Sequence, residues 1–148
     1  MASFEVRIKM NGFQEVQTFF KGTMRRMNNV TVPLKKAQLV MISSIHKNFN
    51  FSGRPATWKP LSMSTMISKL KRGLSPKPLI GRTGWLRNKV TAETVGRNKL
   101  VVGSSVPYAS YHQYGTKRIP KRTFLLFQDK DIDNINKLVT DHIVNGKD

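Results

Sequence analysis

Apolar residues recur along this chain with two different periods. From Ser3 to Met10 they alternate, with Phe4, Val6, Ile8 and Met10 on one face and Glu5, Arg7 and Lys9 on the other. That pattern predicts a half-buried strand, which Asn11-Gly12 ends. Phe13, Val16, Phe20, Met24 and Met27 then follow helical spacing up to Asn28-Asn29, although Gly22 weakens the helix. The strongest helical pattern comes next. Leu34, Ala37, Met41, Ile45 and Phe49 form one stripe, widened by Val40 and Ile42, while Lys35, Lys36 and Lys47 lie off it. Pro33 suits the first helical position and Thr31 a cap.

Asn50 to Pro60 reads as a loop, punctuated by Ser52-Gly53-Arg54-Pro55 and Lys59-Pro60, with Trp58 as its one large apolar anchor. Ser62 or Ser64 can cap a short helix through Leu70, and Gly73 can close it. Pro76 and Pro78 leave Leu74 to Pro78 extended or mobile. Val90–Val95 and Lys99–Val102 form a hairpin around Gly96-Arg97-Asn98, and Phe124–Phe127 a further strand. Asp129 or Asp131 caps a last helix, with Ile132, Ile135, Val139, His142 and Ile143 as its buried stripe. These elements predict an α+β fold in a single domain, 1–148. A small antiparallel sheet (Phe4–Met10, Val90–Val95, Lys99–Val102 and Phe124–Phe127) packs against two main helices, near Pro33–Phe49 and Asp131–Ile143, with long basic loops between.

Charge changes this picture more than composition does. The chain has 148 residues, 39% of them hydrophobic, which excludes wholesale disorder. It has no cysteine, hence no disulfide framework and no thiolate metal site. No apolar run reaches the roughly 18 residues of a membrane helix, and the first residues lack a signal-peptide layout. The net charge is +18, and no acidic residue lies between Glu15 and Glu93. Self-repulsion of that size burdens a lone domain. It points to a polyanionic or acidic partner, with solubility alone as the plain alternative.

Catalytic signatures are missing. Gly103-Ser104-Ser105 does not frame a nucleophilic serine. His46, His112 and His142 fall on separate elements without ligand spacing, and Asp129, Asp131 and Asp133 suit a helix start better than a cation. No phosphate-binding glycine loop of the G-x-x-x-x-G-K-[ST] type occurs. The expectation is a protein that is not an enzyme and uses no cofactor or metal.

Ile80-Gly81-Arg82-Thr83-Gly84 has the form of the loop with which KH domains clamp a nucleic-acid backbone. In that reading Arg82, Arg87 and Lys89 touch nucleic acid. Pro76 and Pro78 upstream, and Arg87 where an apolar residue is needed, count against it. The alternative is a tight turn that starts a short helix, with Trp85 and Leu86 docking into the core. Tyr108, Tyr111 and Tyr114 recur at intervals of three, so they share one face of a helical turn. Tyrosine is enriched at interfaces, and His112 and Gln113 can order the adjacent loop. Gly115 to Thr123 then carries Lys117, Arg118, Lys121 and Arg122 on a loop held at both ends. Tyr108, Tyr111, His112, Tyr114 and these four cations make a candidate subunit or partner interface. Trp58, Trp85 and Phe124 are candidate structural anchors.

Several motifs occur in a fixed order: Trp-x-Pro-Leu at Trp58, Thr-Gly-x-Leu at Thr83, and Val-Gly-x-x-Val-Pro-Tyr-Ala at Val102. His-Gln-x-Gly at His112 and Ile-Pro-x-Arg-x-Phe-Leu at Ile119 complete the set. The ordered set resembles the phage virion morphogenesis family, the tail-completion proteins of Mu-like and related tailed phages. The resemblance spans most of the chain from Pro33 onward; Leu74 to Pro78 is shorter than the variable insert expected there. It implies a structural protein of the virion neck, made in the host cytoplasm, that completes the tail and joins it to the head. It also implies a homo-oligomeric ring, with a hexamer expected from the neck location. Its neighbours would be the head–tail connector and a tail tube or tail terminator protein, with packaged double-stranded DNA within reach and no membrane. The alternative is a nucleic-acid-binding protein that uses the basic surface and the Ile80–Gly84 loop.

Overall fold

The computed structural model describes residues 12–146. The strand expected at Phe4–Met10 lies outside the described residues. Within them the order is α1 (Phe13–Met27), α2 (Thr31–Asn50), α3 (Met63–Lys71), α4 (Trp85–Asn88), β1 (Val90–Val95), β2 (Lys99–Ser104), α5 (Ala109–Tyr114) and α6 (Asp129–Asn145). The class is α+β.

Helix α2 is the centre of the molecule. Leu34, Ala37, Met41, Ile45 and Phe49 are all buried, as their spacing demands. The helix starts earlier than Pro33. Asn29 Oδ1 accepts from the Thr31 amide (3.2 Å) and hydroxyl (2.6 Å), so Asn29 rather than Thr31 supplies the capping acceptor. Pro33 falls within the first turn, where its missing N–H has no helical acceptor to serve.

One side of α2 carries the β1–β2 hairpin and another carries α6. β1 and β2 are antiparallel, with Ala92 opposite Val102 and Thr94 opposite Leu100. These four half-buried side chains form the inward face. The three-residue connection Gly96–Asn98 places Gly96 in the left-handed region (φ 67°). The hairpin tip is tied to the start of α2, because the Val30 amide donates to the Arg97 carbonyl (3.0 Å). Gln38 Nε2 adds a bond to Thr94 Oγ1 (2.7 Å). Below, Ile45, Phe49, Leu86, Val90, Val106, Ala109 and Phe124 close one buried cluster. Phe49 stacks at a tilt on Phe124 (5.4 Å) and edge-on to Trp58 (5.8 Å).

Residues 124–127 do not form a strand, and the chain bends at Leu125. Side-chain amides replace the ladder. Gln113 Oε1 accepts from the Phe124 and Leu125 amides (3.1 Å each), and its Nε2 donates to the Leu125 carbonyl (3.1 Å). Asn48 Nδ2 donates to the carbonyls of Phe124 (2.9 Å) and Leu126 (3.3 Å). With the polar groups satisfied in this way, no neighbouring strand is needed.

A buried polar network fastens α6. Arg54 Nε donates to Asn48 Oδ1 (2.9 Å), and its Nη2 donates to the carbonyl (2.6 Å) and hydroxyl (2.8 Å) of Ser44. The Ser44 hydroxyl donates to the Asp131 carboxylate, which also accepts from the Gln128 amide (3.0 Å). Asp131 thus serves the start of α6 and the core together, whereas Asp129 is exposed. At the other end of α6, His142 is buried and its Nε2 donates to the Asn29 carbonyl (3.1 Å). Ile132, expected in the buried stripe, is exposed, because α6 turns Ile135, Leu138 and His142 toward the body instead.

Helix α1 forms where its spacing predicts, but its stripe faces outward. Val16, Phe20, Met24 and Met27 are each more than half exposed. Its half-buried residues are the polar or small ones, Gly22, Thr23 and Arg26. Arg26 Nε donates to the Ile143 carbonyl (2.8 Å), fixing that polar side against the end of α6.

Replacing Asn48 by Ala strands two backbone carbonyls and the Arg54 Nε in a water-poor site, so the protein should lose about 2 kcal/mol. Leu39 lies on the exposed side of the same helix, and Leu39→Ala should change stability by no more than about 0.5 kcal/mol. Urea denaturation of both variants checks this; equal effects would refute the clamp.

Candidate partner-binding surface

Val106 and Ala109 are buried, and the Ala109 amide donates to the Val106 carbonyl (3.0 Å). This anchor sets the rotation of α5. Gln113 turns inward to the clamp already described. Tyr108, Tyr111 and Tyr114 turn outward as an exposed ridge, Tyr114 most of all at 76%. Tyr108 meets the His112 ring edge to face (5.9 Å).

Gly115 lets the chain reverse beside this ridge. Its φ of 81° and ψ of 169° are open to glycine alone. A Cβ there would also sit 2.9 Å from the Lys121 amide nitrogen. The loop that follows is internally braced. Thr116 N donates to the Ile119 carbonyl (2.8 Å), and Thr116 Oγ1 accepts from the Arg118 (3.2 Å) and Ile119 (3.0 Å) amides. Lys117, Arg118 and Lys121 project from it, exposed.

Arg122 does not join them, so the expected four-cation surface has three members. The Arg122 side chain is buried, with Nε donating to the Lys59 carbonyl (3.0 Å) and Nη2 to the Pro60 carbonyl (3.4 Å). Its amide donates to the His112 carbonyl (2.8 Å). Desolvation lowers its pKa from the ordinary arginine value. Arg122 ties this loop to the Trp58 loop. Trp58 is half-buried against the core cluster and donates from Nε1 to the Thr123 carbonyl (3.0 Å). Gly53 makes that loop possible: at φ 108° an added Cβ would lie 2.6 Å from the Ala56 carbonyl oxygen and 2.8 Å from Trp58.

The two tryptophans differ. Trp85, expected as an anchor, is 55% exposed, and Leu86 takes the core position instead. Trp85 lines an open cleft of about 330 Å³ with Leu61, Lys69, Tyr108, His112 and Arg122. The Ile80–Gly84 loop edges the same cleft. Lys69 Nζ donates to the Lys77 (2.7 Å) and Ile80 (2.8 Å) carbonyls, and its pKa is lowered by burial and then by Arg72. His112 Nδ1 is buried without a hydrogen-bond partner, and burial followed by the nearby Arg122 charge lowers the pKa of the ring.

The Ile80–Gly84 loop is not framed by helices as a KH clamp is. It follows irregular chain, and α4 after it has four residues. Arg82 and Lys89 are exposed nearby, while Arg87 is half-buried, its carbonyl accepting from His46 Nε2 (3.2 Å). Among the described residues no cluster of three His, Cys, Asp or Glu side chains could hold a metal. None of their helices is long and apolar enough to cross a membrane.

The structure therefore gathers Tyr108, His112, Trp85 and Arg122 around one cleft. Lys117, Arg118 and Lys121 extend on the braced loop that begins at Gly115. Sequence reasoning missed Lys69 and Leu61 in the cleft and the Ser44–Asn48–Arg54 network. Ser44 and Asn48 did leave a signal, two polar residues four apart beside an apolar stripe.

Residues 12–144 match the model of the phage virion morphogenesis family. The chain belongs to that family. It is also 28% identical over 144 residues to the Mu-like prophage FluMu G protein 2 of Haemophilus influenzae, covering 93% of this chain and 95% of that protein. No solved structure matches it. A role in building the phage particle follows, since the match includes the clamp, the tyrosine ridge and the basic loop together.

Two predictions come from this geometry. Trp58→Ala should cost roughly 3 kcal/mol, through lost packing and an unpaired Thr123 carbonyl. Trp85→Ala should change stability by less than about 0.5 kcal/mol. Thermal unfolding separates them, and a larger loss for Trp85 would overturn the assignment. The second concerns acid. The His112 imidazole titrates near 6.5 when unfolded and lower when folded. Between those values the unfolded chain binds more protons, so this contribution is full above 6.5 and is lost on acidification through the window. His112→Gln should flatten part of the stability difference between about pH 7.5 and about pH 5.5, measured by urea titration.

Proposed function

We propose that this protein is a structural component of the virion neck that completes the tail and joins it to the head, with no chemical step. Membership of the phage virion morphogenesis family over residues 12–144 carries this reading. The tyrosine ridge and the braced cationic loop support it. Both are outward, rigidly based and suited to protein contact, tyrosine through apolar area and lysine or arginine through steering. Pre-ordering of the loop by Gly115, Thr116 and Arg122 lowers the entropy lost on docking.

In this reading copies form a ring by heterologous contacts whose rotation closes, six-fold at the neck. The neighbours are the head–tail connector on one side and a tail tube or terminator protein on the other. The net charge of +18 favours a second contact, with packaged DNA. Exposed Arg82 and Lys89 suit it. DNA contact predicts affinity that falls steeply with salt, whereas a protein acting through protein contacts alone should bind DNA little near physiological ionic strength.

Electron microscopy of labelled virions tests the location; protein dispersed over the capsid, or absent from particles, would sink it. Reversing Lys117, Arg118 and Lys121 to Glu should leave the isolated fold within about 1.5 kcal/mol of the original, as exposed sites do. The same variant should fail to complement a null phage, because opposed charges become like charges. Normal yields of infectious particles would place the functional contact elsewhere.

A further inference from the structure

We infer that α1 is a docking arm whose apolar stripe seats on the outer face of α6 of a second copy of this chain. The inference rests on the ring reading and specifies one of its contacts.

The arm is defined by exposure. Residues 14–21 of α1 are exposed on every side of the helix, so this half has no packing partner among the described residues. Isolated helices shorter than roughly 12–15 residues are marginal in water. Val16, Phe20, Met24 and Met27 nevertheless hold one continuous stripe, and Phe19 beside it is also more than half exposed. Their combined apolar area, on the order of 500 Å², is at the upper end of what a monomer normally shows.

The protomer's own α6 does not receive the stripe. α1 meets α6 through the neighbouring side of the helix, where Arg26 reaches the Ile143 carbonyl and packs beside Gly146. The exposed apolar residue near the start of α6, Ile132, lies roughly 17 Å further along the helix from Ile143.

Charge selects the outer face of α6 on another copy. Four of the chain's eight acidic residues are on α6. Asp129 and Asp133 are exposed, and with Ile132 and Asn136 they share one patch by their three- and four-residue spacing. α1 is basic along one flank of its stripe, at Lys21 and Arg25, both exposed. The outer faces of α2 and α3 also carry exposed apolar residues, but their charged side chains are lysines with no carboxylate among them, so they repel the arm. Seating the stripe over Ile132 brings Lys21 and Arg25 toward Asp129 and Asp133. Donor and receiver are different elements, so the contact is head-to-tail and repeats from copy to copy. It also relieves part of the self-repulsion of a strongly basic chain.

The absence of cysteine makes the test direct. Phe20→Cys and Ile132→Cys are prepared singly, mixed and oxidised; the double variant is oxidised in purified protein and in virions. Mixed singles should form a disulfide-linked heterodimer in excess of either homodimer, and the double variant should form a ladder of higher species. Lys21→Glu with Arg25→Glu should abolish the ladder, and Asp129→Lys with Asp133→Lys in the same chain should restore it. A dominant Phe20→Cys homodimer, a cross-link to a different virion protein, or no ladder in assembled particles would each overturn the contact. Particles that image as rings without the ladder would leave the ring intact and remove this interface. Particles without the protein would remove the ring reading itself.

Discussion

The body of this protein depends on two side-chain amides. Asn48, on the central helix, and Gln113, on the short tyrosine helix, together hold the irregular segment at residues 124–126. That segment places Phe124 against Phe49 and Trp58 in the buried cluster. Each amide offers both a donor and an acceptor, so one residue serves two or three backbone groups. Asn48 does more, since its oxygen also receives Arg54, which reaches Ser44 and through it Asp131 at the start of α6. The orientation of α2, the Trp58 loop and α6 is thereby set by one connected polar network. Such a network favours a single arrangement only when every member is paired.

This arrangement explains how a small fold presents a rigid surface. Burial of Val106 and Ala109 fixes the rotation of α5, and Gln113 uses the inward side of the same helix. The three tyrosines are left outward. Gly115 then reverses the chain, and Arg122 staples the loop to the Lys59 and Pro60 carbonyls. The basic loop is braced from below, so Lys117, Arg118 and Lys121 are presented from a fixed base. A protein built to join larger assemblies benefits from that, because little entropy remains to be lost on docking.

Much of this was legible in the residues. The period of Leu34, Ala37, Met41, Ile45 and Phe49 determined a buried central helix, because five apolar side chains on one stripe leave few other solutions. Gly96-Arg97-Asn98 between β-rich segments determined the hairpin, and Asp129 to Asp133 marked the start of the last helix. The ordered motifs from Trp58 to Leu125 pointed to the virion morphogenesis family, to which the chain belongs. What misled was the strand expected at Phe124–Phe127. A short apolar run shows only that a segment is to be buried, not whether its backbone hydrogen bonds go to a strand or to side chains.

Periodicity states that a face requires burial, and tertiary structure decides where that burial comes from. α1 and α2 carry comparable stripes, yet α2 is enclosed by the hairpin and α6 while α1 turns Gly22, Thr23 and Arg26 to the body and its apolar side to solvent. Trp58 and Trp85 look alike as lone aromatics in irregular chain. One packs on Phe49 and the other lines an open cleft, because Leu86, one residue further on, fills the core. Lys121 and Arg122 are adjacent cations, but the reversal at Gly115 sends one outward and the other to two carbonyls of a distant loop. The sequence by itself determined the central and last helices, the hairpin, the asymmetry of charge and the family. Only the packed structure decided which apolar face and which cations were left for a partner, since those depend on contacts between segments far apart in the chain.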